Sequence, residues 1–263
     1  MTATGAAARA AWLTTFRLLQ RYHRYEVVNL EPLLRPGAKL LVGYHGRPLA
    51  VDLCMLTVTL HDRLGYLPHG IAHGAFDQLP GMREVTEGLG FVTGDGPRLA
   101  EAVAKGEHVL VQPGGTREGC RDFRHRYRVD WGGRVGYLRL AVRYGLPIVP
   151  IAGHGMDDAY LGLNDGYAWG KRLGMPGRLP LWLGVGATGL WPLSLPFPVK
   201  MTQWVGEPLT RHLDAGFDAE DRDALLAVHR DVTGAVQGLL DAAGPTSARG
   251  TSPRGHSGTP PRW

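Results

Sequence analysis

Between residues 39 and 151 the chain alternates short, largely apolar runs with segments apolar at helical spacing, which narrows its possible folds more than any other feature. Residues 39–44 (KLLVGY) read as a buried strand, and residues 49–64 as a helix carrying Leu49, Leu53, Leu56 and Leu60 and stopping at Gly65. Residues 66–71 suggest a second strand, 97–105 a short helix ended by Gly106, and 108–112 (HVLVQ) a further strand. Residues 135–144 form a helical pattern closed by Gly145, followed by a strand at 147–151, a late strand at 199–205, and a terminal helix at 218–243 with Asp218 as its N-cap. Runs apolar at every position suit strands covered on both faces. Strand and helix in turn therefore predict an α/β fold: a single domain with a largely parallel central sheet flanked by helices.

The 263 residues fit one large domain. Residues 6–24 precede the alternation and form an amphipathic helix, with Trp12, Phe16 and Leu19 on one side and Arg17, Arg21 and Arg24 on another. Two readings of it stay open. It packs on the domain, or it lies in a lipid interface with its arginines toward phosphates and Trp12 toward acyl chains. The expected organisation is an N-terminal amphipathic helix in residues 1–30, a catalytic domain in 31–243, and a disordered Pro/Gly/Ser/Thr-rich tail in 244–263.

The uncharged run at residues 179–199 contains Pro180, Pro192, Pro196 and Pro198, which a membrane-spanning helix would not tolerate together. It reads as an apolar loop or surface segment, with Trp182 and Trp191 either as interface anchors or as core. No secretory signal is visible, and two cysteines outside any CxxC pair, Cys54 and Cys120, point to a reducing, cytoplasmic setting. Three of the five net positive charges come from Arg249, Arg254 and Arg262 in the tail. That leaves little support for a nucleic-acid partner, although anionic lipid head groups stay open. His61, His69 and His73 cluster in sequence, but not at the i, i+4 spacing of a helical zinc pair, so no metal is expected.

Two segments could carry chemistry. His45 directly follows the first buried strand, with Asp52 in the first turns of the next helix. A carboxylate on one ring nitrogen would fix the tautomer while the other nitrogen removes a proton. Both residues could equally be simple caps. The second segment, residues 112–119 (QPGGTREG), follows a later strand. Gly114 and Gly115 can turn backbone N–H groups outward as an anion nest, Thr116 adds a hydroxyl, and Arg117 a fork for phosphate or carboxylate. A G-x-S-x-G elbow and a Walker P-loop are both absent.

In this order the two segments, with residues 146–151 (LPIVPI) and Gly206-Glu207-Pro208-Leu209, resemble the glycerolipid acyltransferase superfamily over roughly residues 38–210. The P-G-G-x-R-E form, with Phe76, Pro80 and Gly81 upstream and Trp131 downstream, is most similar to the branch of mono- and diacylglycerol acyltransferases. The resemblance implies acyl transfer from acyl-CoA or acyl carrier protein to a lipid hydroxyl at the inner face of the cell membrane, without spanning it and without a further cofactor. It makes His45 the general base and Asp52 its orienter. It makes Gly114, Gly115, Thr116, Arg117 and Glu118 the substrate-binding turn, with N–H groups near Gly114 and Gly115 as oxyanion donors.

Two departures stand out: six residues rather than four separate His45 from Asp52, and the family glutamate before Gly-Thr-Arg is Gly114, with Glu118 on the other side of Arg117. The lost acid points to a neutral acceptor. His125 and Asp130 do show the four-residue spacing, but they follow the glycine turn and no strand precedes them. Two rival readings remain, a non-catalytic lipid- or anion-binding protein and a thioesterase-like hydrolase.

Overall fold

In the computed structural model, which describes residues 2–72, 82–93, 96–174 and 180–243, the first apolar run becomes the centre of a sheet. The chain opens with helix α1 (Ala3–Tyr22), strand β1 (Glu26–Val28) and the single turn α2 (Glu31–Leu34). It then alternates through β2 (Leu40–Gly43), α3 (Val51–Leu64), β3 (His69–Ala72), α4 (Met82–Gly88), β4 (Val92–Thr93) and α5 (Pro97–Ala104). The alternation continues through β5 (Val109–Val111), α6 (Gly115–Gly119), α7 (Gly136–Arg143) and β6 (Ile148–His154). An excursion through β7 (Leu161–Gly162), α8 (Gly166–Arg172), β8 (Gly184–Gly186) and β9 (Gly189–Leu190) precedes β10 (Thr202–Val205) and α9 (Arg222–Ala242).

Among the described residues the main sheet has seven strands in the order β1-β10-β6-β2-β5-β3-β4, all parallel to their neighbours except β10 against β6. The central place of β2 explains its burial at every position. Successive side chains point to opposite faces. Leu40, Val42 and Tyr44 enter one core with Leu99 of α5, Leu138 of α7 and Val232 of α9, while Leu41 enters another with Leu53, Leu56 and Leu60 of α3. Each such buried aliphatic side chain contributes about 1.5–3 kcal/mol.

β2 runs in step with β5, Leu40 opposite Val109 and Val42 opposite Val111. Their carboxyl ends are therefore neighbours, and the segments after them, residues 44–50 and 112–115, leave the sheet side by side. In open α/β sheets this edge is where ligands bind.

The N-terminal helix is packed on the domain. The Trp12 indole donates to Thr57 Oγ1 at 3.0 Å, the Gln20 amide to Met55 O and Thr59 Oγ1 at 3.0 Å each, and Arg17 pairs with Asp62 at 2.6 Å, all on α3. Gly5 lies so close to α4 that a Cβ on Gly88 would sit 2.4 Å from its Cα. Trp12 is thus turned to α3 rather than to lipid, and β1 joins the main sheet beside β10.

Other expectations need correction. α3 starts at Val51, because Ala50 takes the left-handed conformation (φ 48°), and this leaves Leu49 exposed ahead of it. α9 starts at Arg222, where the Asp221 carboxylate accepts from the N–H groups of Asp223 and Ala224; Asp218 instead closes a local turn with Glu220. The 179–199 run is not a loop throughout but holds β8 and β9, which with β7 form a second, three-stranded sheet. Its residues 184–189 (GVGATG) have G-x-G-x-x-G spacing, yet they form the β8–β9 hairpin, and no helix follows to hold a dinucleotide phosphate. The tail at 244–263, His73, and the quoted Phe76, Pro80 and Gly81 lie outside the described residues.

Asp221→Ala should lower stability by about 1 kcal/mol through loss of the cap, whereas Asp218→Ala should stay within about 0.5 kcal/mol. Urea unfolding of both variants checks this, and a costlier Asp218 would restore the sequence assignment.

Candidate active site

His45 stands two residues beyond β2, half-buried, on a loop whose backbone is pinned from several directions. Its ring Nδ1 lies 3.0 Å from the carbonyl oxygen of Gly46. A carbonyl only accepts, so Nδ1 carries the proton and Nε2 carries the lone pair. Nε2 has no hydrogen-bond partner among the described residues and is not sealed off from solvent. Burial lowers the pKa of the ring, which favours the neutral, basic form near neutral pH. Gly119 packs edge-on to this imidazole, where an added Cβ would lie 2.7 Å from Cε1.

Glu118 ties this loop to the glycine turn. Its carboxylate is fully buried, and Oε2 accepts from the His45 N–H at 3.0 Å and the Trp131 indole at 3.1 Å, while Oε1 accepts from the Asp130 N–H at 2.7 Å. Glu118 therefore has no face left for substrate, which corrects its assignment to substrate binding. A Cβ on Gly114 would sit 2.1 Å from Glu118 Oε2, so the displaced acid fills the space toward which a side chain at 114 would point. Burial pushes Glu118 up to about 7, opposed by the three donors.

In the rest of the turn Gly114 is buried, Gly115 half-buried, and the side chains of Thr116 and Arg117 reach solvent. Gly114 is right-handed and Gly115 left-handed (φ 51°), the backbone sequence of an anion nest. The Gly115 N–H is already used by Gln112 O at 3.0 Å, which removes it as an oxyanion donor and leaves Gly114. Arg134 braces the turn through the carbonyls of Pro113 and Gly114, both at 2.8 Å. Thr116 is exposed and hydrogen-bonds the Tyr167 hydroxyl on α8. Arg117 is half exposed, with Nε on Asp130 at 2.9 Å, so Asp130 serves Arg117 and is not paired with His125. His125 is turned to Asp122 instead.

Asp52 does not reach His45. It is fully buried in the first turn of α3, and neither of its oxygens has a hydrogen-bond partner. A Cβ on Gly153 would lie 1.8 Å from Oδ2, and one on Gly46 3.4 Å from Oδ1, so the carboxylate sits under the His45 loop in space left by two glycines. Burial pushes its carboxyl up to about 7; the N–H groups of Leu53 and of Asp52 itself oppose this without making a hydrogen bond, and Asp157 reinforces it. The expected His45–Asp52 dyad is thus not a hydrogen-bonded pair, and the Gly46 carbonyl sets the tautomer. The longer spacer and the left-handed turn at Ala50 send Asp52 into the core.

Sequence reasoning missed the anchor beneath the loop. Asp157 accepts from the Tyr44 hydroxyl at 2.5 Å, the Arg47 N–H at 3.1 Å and the Tyr127 N–H at 2.7 Å. The Arg47 guanidinium pairs with it at 3.5 Å and Arg121 at 3.7 Å. The one local signal was a charged residue, Arg47, fully buried between β2 and α3. Burial also pushes Cys120 up to about 11 and Cys54 higher still, so neither thiol is a ready nucleophile. No group of three His, Cys, Asp or Glu among the described residues could hold a metal ion. His69 is engaged by Gly90 O at 2.9 Å and Glu107 at 2.6 Å.

The fold recurs in a solved structure. The 1-acyl-sn-glycerophosphate acyltransferase PlsC of Thermotoga maritima superposes with a TM-score of 0.52 at 17% identity, covering 93% of this chain and 81% of that one. The chain therefore shares the fold of that acyltransferase. No family model matches the sequence. An uncharacterised protein of Mycobacterium tuberculosis is 33% identical over 210 residues, 76% of this chain and 56% of the relative. A chicken (Gallus gallus) protein named as a DGAT1/2-independent enzyme synthesizing storage lipids is 28% identical over 223 residues, 82% of this chain and 63% of that protein. The human counterpart is 24% identical over 222 residues, 84% of this chain and 62% of that protein. The acyltransferase-fold chain thus spans between half and two thirds of the curated relatives it matches. Their storage-lipid names agree with the branch that its P-G-G form resembles.

Two measurements probe the buried carboxyls. The folded-state pKa of Asp52 lies above its ordinary 3.8, so its penalty is absent at lower pH, grows as pH rises, and is full above about 7. Wild type should therefore lose on the order of 1–4 kcal/mol more than Asp52→Asn between pH 4 and pH 8 in urea titrations; parallel curves would place Asp52 in water. Gly114→Ala should cost about 1–3 kcal/mol by driving a methyl group into the Glu118 carboxylate. Calorimetry showing an unchanged melting point would mean the turn is looser than it stands.

Proposed function

We propose that the chain is an acyltransferase moving a fatty acyl group from an acyl thioester, on coenzyme A or acyl carrier protein, to a glycerolipid hydroxyl. The observation that carries this reading is His45: a neutral imidazole with Nδ1 committed to Gly46 and Nε2 open, beside a glycine turn at the carboxyl edge of an acyltransferase-type sheet. Nε2 takes the proton of the acceptor hydroxyl as its oxygen attacks the thioester carbonyl. The resulting oxyanion lies near the Gly114 N–H. Its collapse breaks the C–S bond, and the leaving thiolate recovers the proton from the imidazolium. No acyl-enzyme is needed, in keeping with the raised pKa values of the two thiols.

Arg117 and Arg134 beside the turn suit the phosphates of the donor. The storage-lipid relatives and the absence of an acid at position 114 favour a neutral mono- or diacylglycerol as acceptor. On this reading the enzyme works at the inner face of the cell membrane, where its lipid acceptor lies. No helix among the described residues is long and apolar enough to cross a membrane. The missing contact between His45 and Asp52 is the observation that favours a non-catalytic lipid-binding protein instead.

The test is incubation of the purified protein with a long-chain acyl-CoA and lysophosphatidate, monoacylglycerol or diacylglycerol. An acylated product is expected, with a loss of about 10²–10⁴ in rate for His45→Ala, the span of a positioned general base. Asp52→Asn should lose less than about tenfold at neutral pH if Gly46 orients the ring; a loss as large as that of His45→Ala would restore the dyad. Thiol release without product would indicate a hydrolase. No turnover with any donor would leave the binding reading.

A further inference from the structure

Antiparallel sheets with one face in water read apolar toward the core and polar outward. The small sheet β7-β8-β9 does not. Its inner positions are buried and tightly fitted: Trp182 lies against Gly162 and Gly184, and Tyr160 against Gly186. Its outer face is also apolar. Leu161 pairs with Val185 and Val185 with Leu190, so these three share one side, and Leu163 takes the same side two residues beyond Leu161. Leu163 and Leu190 are 52% and 54% exposed, and Leu193 in the following turn is 94% exposed. Leu181 and Leu195 extend the patch. Isolated exposed leucines need no explanation, but a registered row of them marks an interaction surface. Trp182 and Trp191 are not its anchors, since Trp182 is buried and Trp191 packs on it with ring centroids 5.7 Å apart.

The patch adjoins the candidate active site. The Trp182 indole donates to Arg121 O at 3.0 Å and Gly166 N–H to Cys120 O at 2.9 Å, just after the glycine turn, and Tyr167 meets Thr116. Its surroundings are basic. Among the described residues, 159–174 and 180–200 hold one acid, Asp165, against Lys171, Arg172 and Lys200, the last of them paired with Glu26 at 2.7 Å. The Asp165 carboxylate caps α8, whose exposed last turn carries Lys171 and Arg172 next to exposed Trp169 and Leu173. On the far side Arg24 donates to Pro198 O at 2.8 Å.

We infer that the outer face of β7-β8-β9, together with the exposed side of α8, docks the protein on an anionic lipid bilayer, leucines in the acyl boundary and Lys171 and Arg172 among the phosphates. Leucines flanked by cations match that interface. A second copy of the chain fits less well, because a two-fold contact would set like patches, and so like charges, against each other. The inference rests on the lipid chemistry proposed above for its purpose, but it is read by binding alone.

The test is co-sedimentation of the full chain with vesicles of phosphatidylcholine, with and without phosphatidylglycerol. Binding is expected only with the anionic lipid. It should weaken at least about tenfold in Leu163→Glu/Leu193→Glu and in Lys171→Glu/Arg172→Glu, with melting points unchanged because all four positions are exposed. Turnover of a soluble short-chain acceptor should persist in both variants. Lipid binding that survives both variants, or no vesicle binding by wild type, overturns the inference. So does a wild-type dimer that the leucine variant dissolves, which would make the face a contact between copies. Vesicle binding lost in the variants without any turnover in wild type would uphold the surface and sink the catalytic reading.

Discussion

Glu118 accepts hydrogen bonds from the N–H groups of His45 and Asp130 and from the Trp131 indole, and the candidate site depends on this contact. Each of the three is a donor, so the position calls for a group that only accepts, which an ionised carboxylate is and an amide is not. Burial resists that ionisation, and three donors in a dry site offset part of the cost. The same carboxylate explains the double glycine, since any side chain at 114 would be driven into it. One acid thus sets the distance between the histidine loop and the glycine turn, and binds Trp131 to both.

A second buried carboxylate, Asp157, holds the histidine loop from below. It gathers Tyr44, the Arg47 backbone and two guanidinium groups around one side chain. Taking so many charges out of water is costly, and the geometry offsets that cost only while every partner stays in place. The consequence is a loop with little freedom, in which a backbone carbonyl can do the orienting that catalytic histidines often obtain from a carboxylate. Asp52 then acts as a buried acid under strain from desolvation, packed against Gly46 and Gly153 rather than against the imidazole it was expected to steer.

The architecture was legible because β2 and β5 sit inside a parallel sheet and must be apolar at every position, a pattern that survives without any tertiary contact. The placing of His45 and the glycine turn followed from the same logic, as each comes directly after a strand. Helix starts were less legible. Asp218 and Asp221 are equally good caps by type, and only the observed hydrogen bonds distinguish them. The 179–199 segment misled because its inward and outward positions are both apolar, so no alternation marked β8 and β9 as strands.

The sequence by itself determined the main alternation of strands and helices, the parallel sheet, and which loops carry the histidine and the glycines, because those properties live in local periodicity and in residues next to strand ends. Tertiary structure alone decided which acid does what. Glu118 and His45 are 73 residues apart, and Arg47 and Asp157 are 110 apart. A carboxylate found next to a histidine in sequence is only nearby. Whether it touches the ring depends on the turn between them and on what the neighbouring strands leave room for.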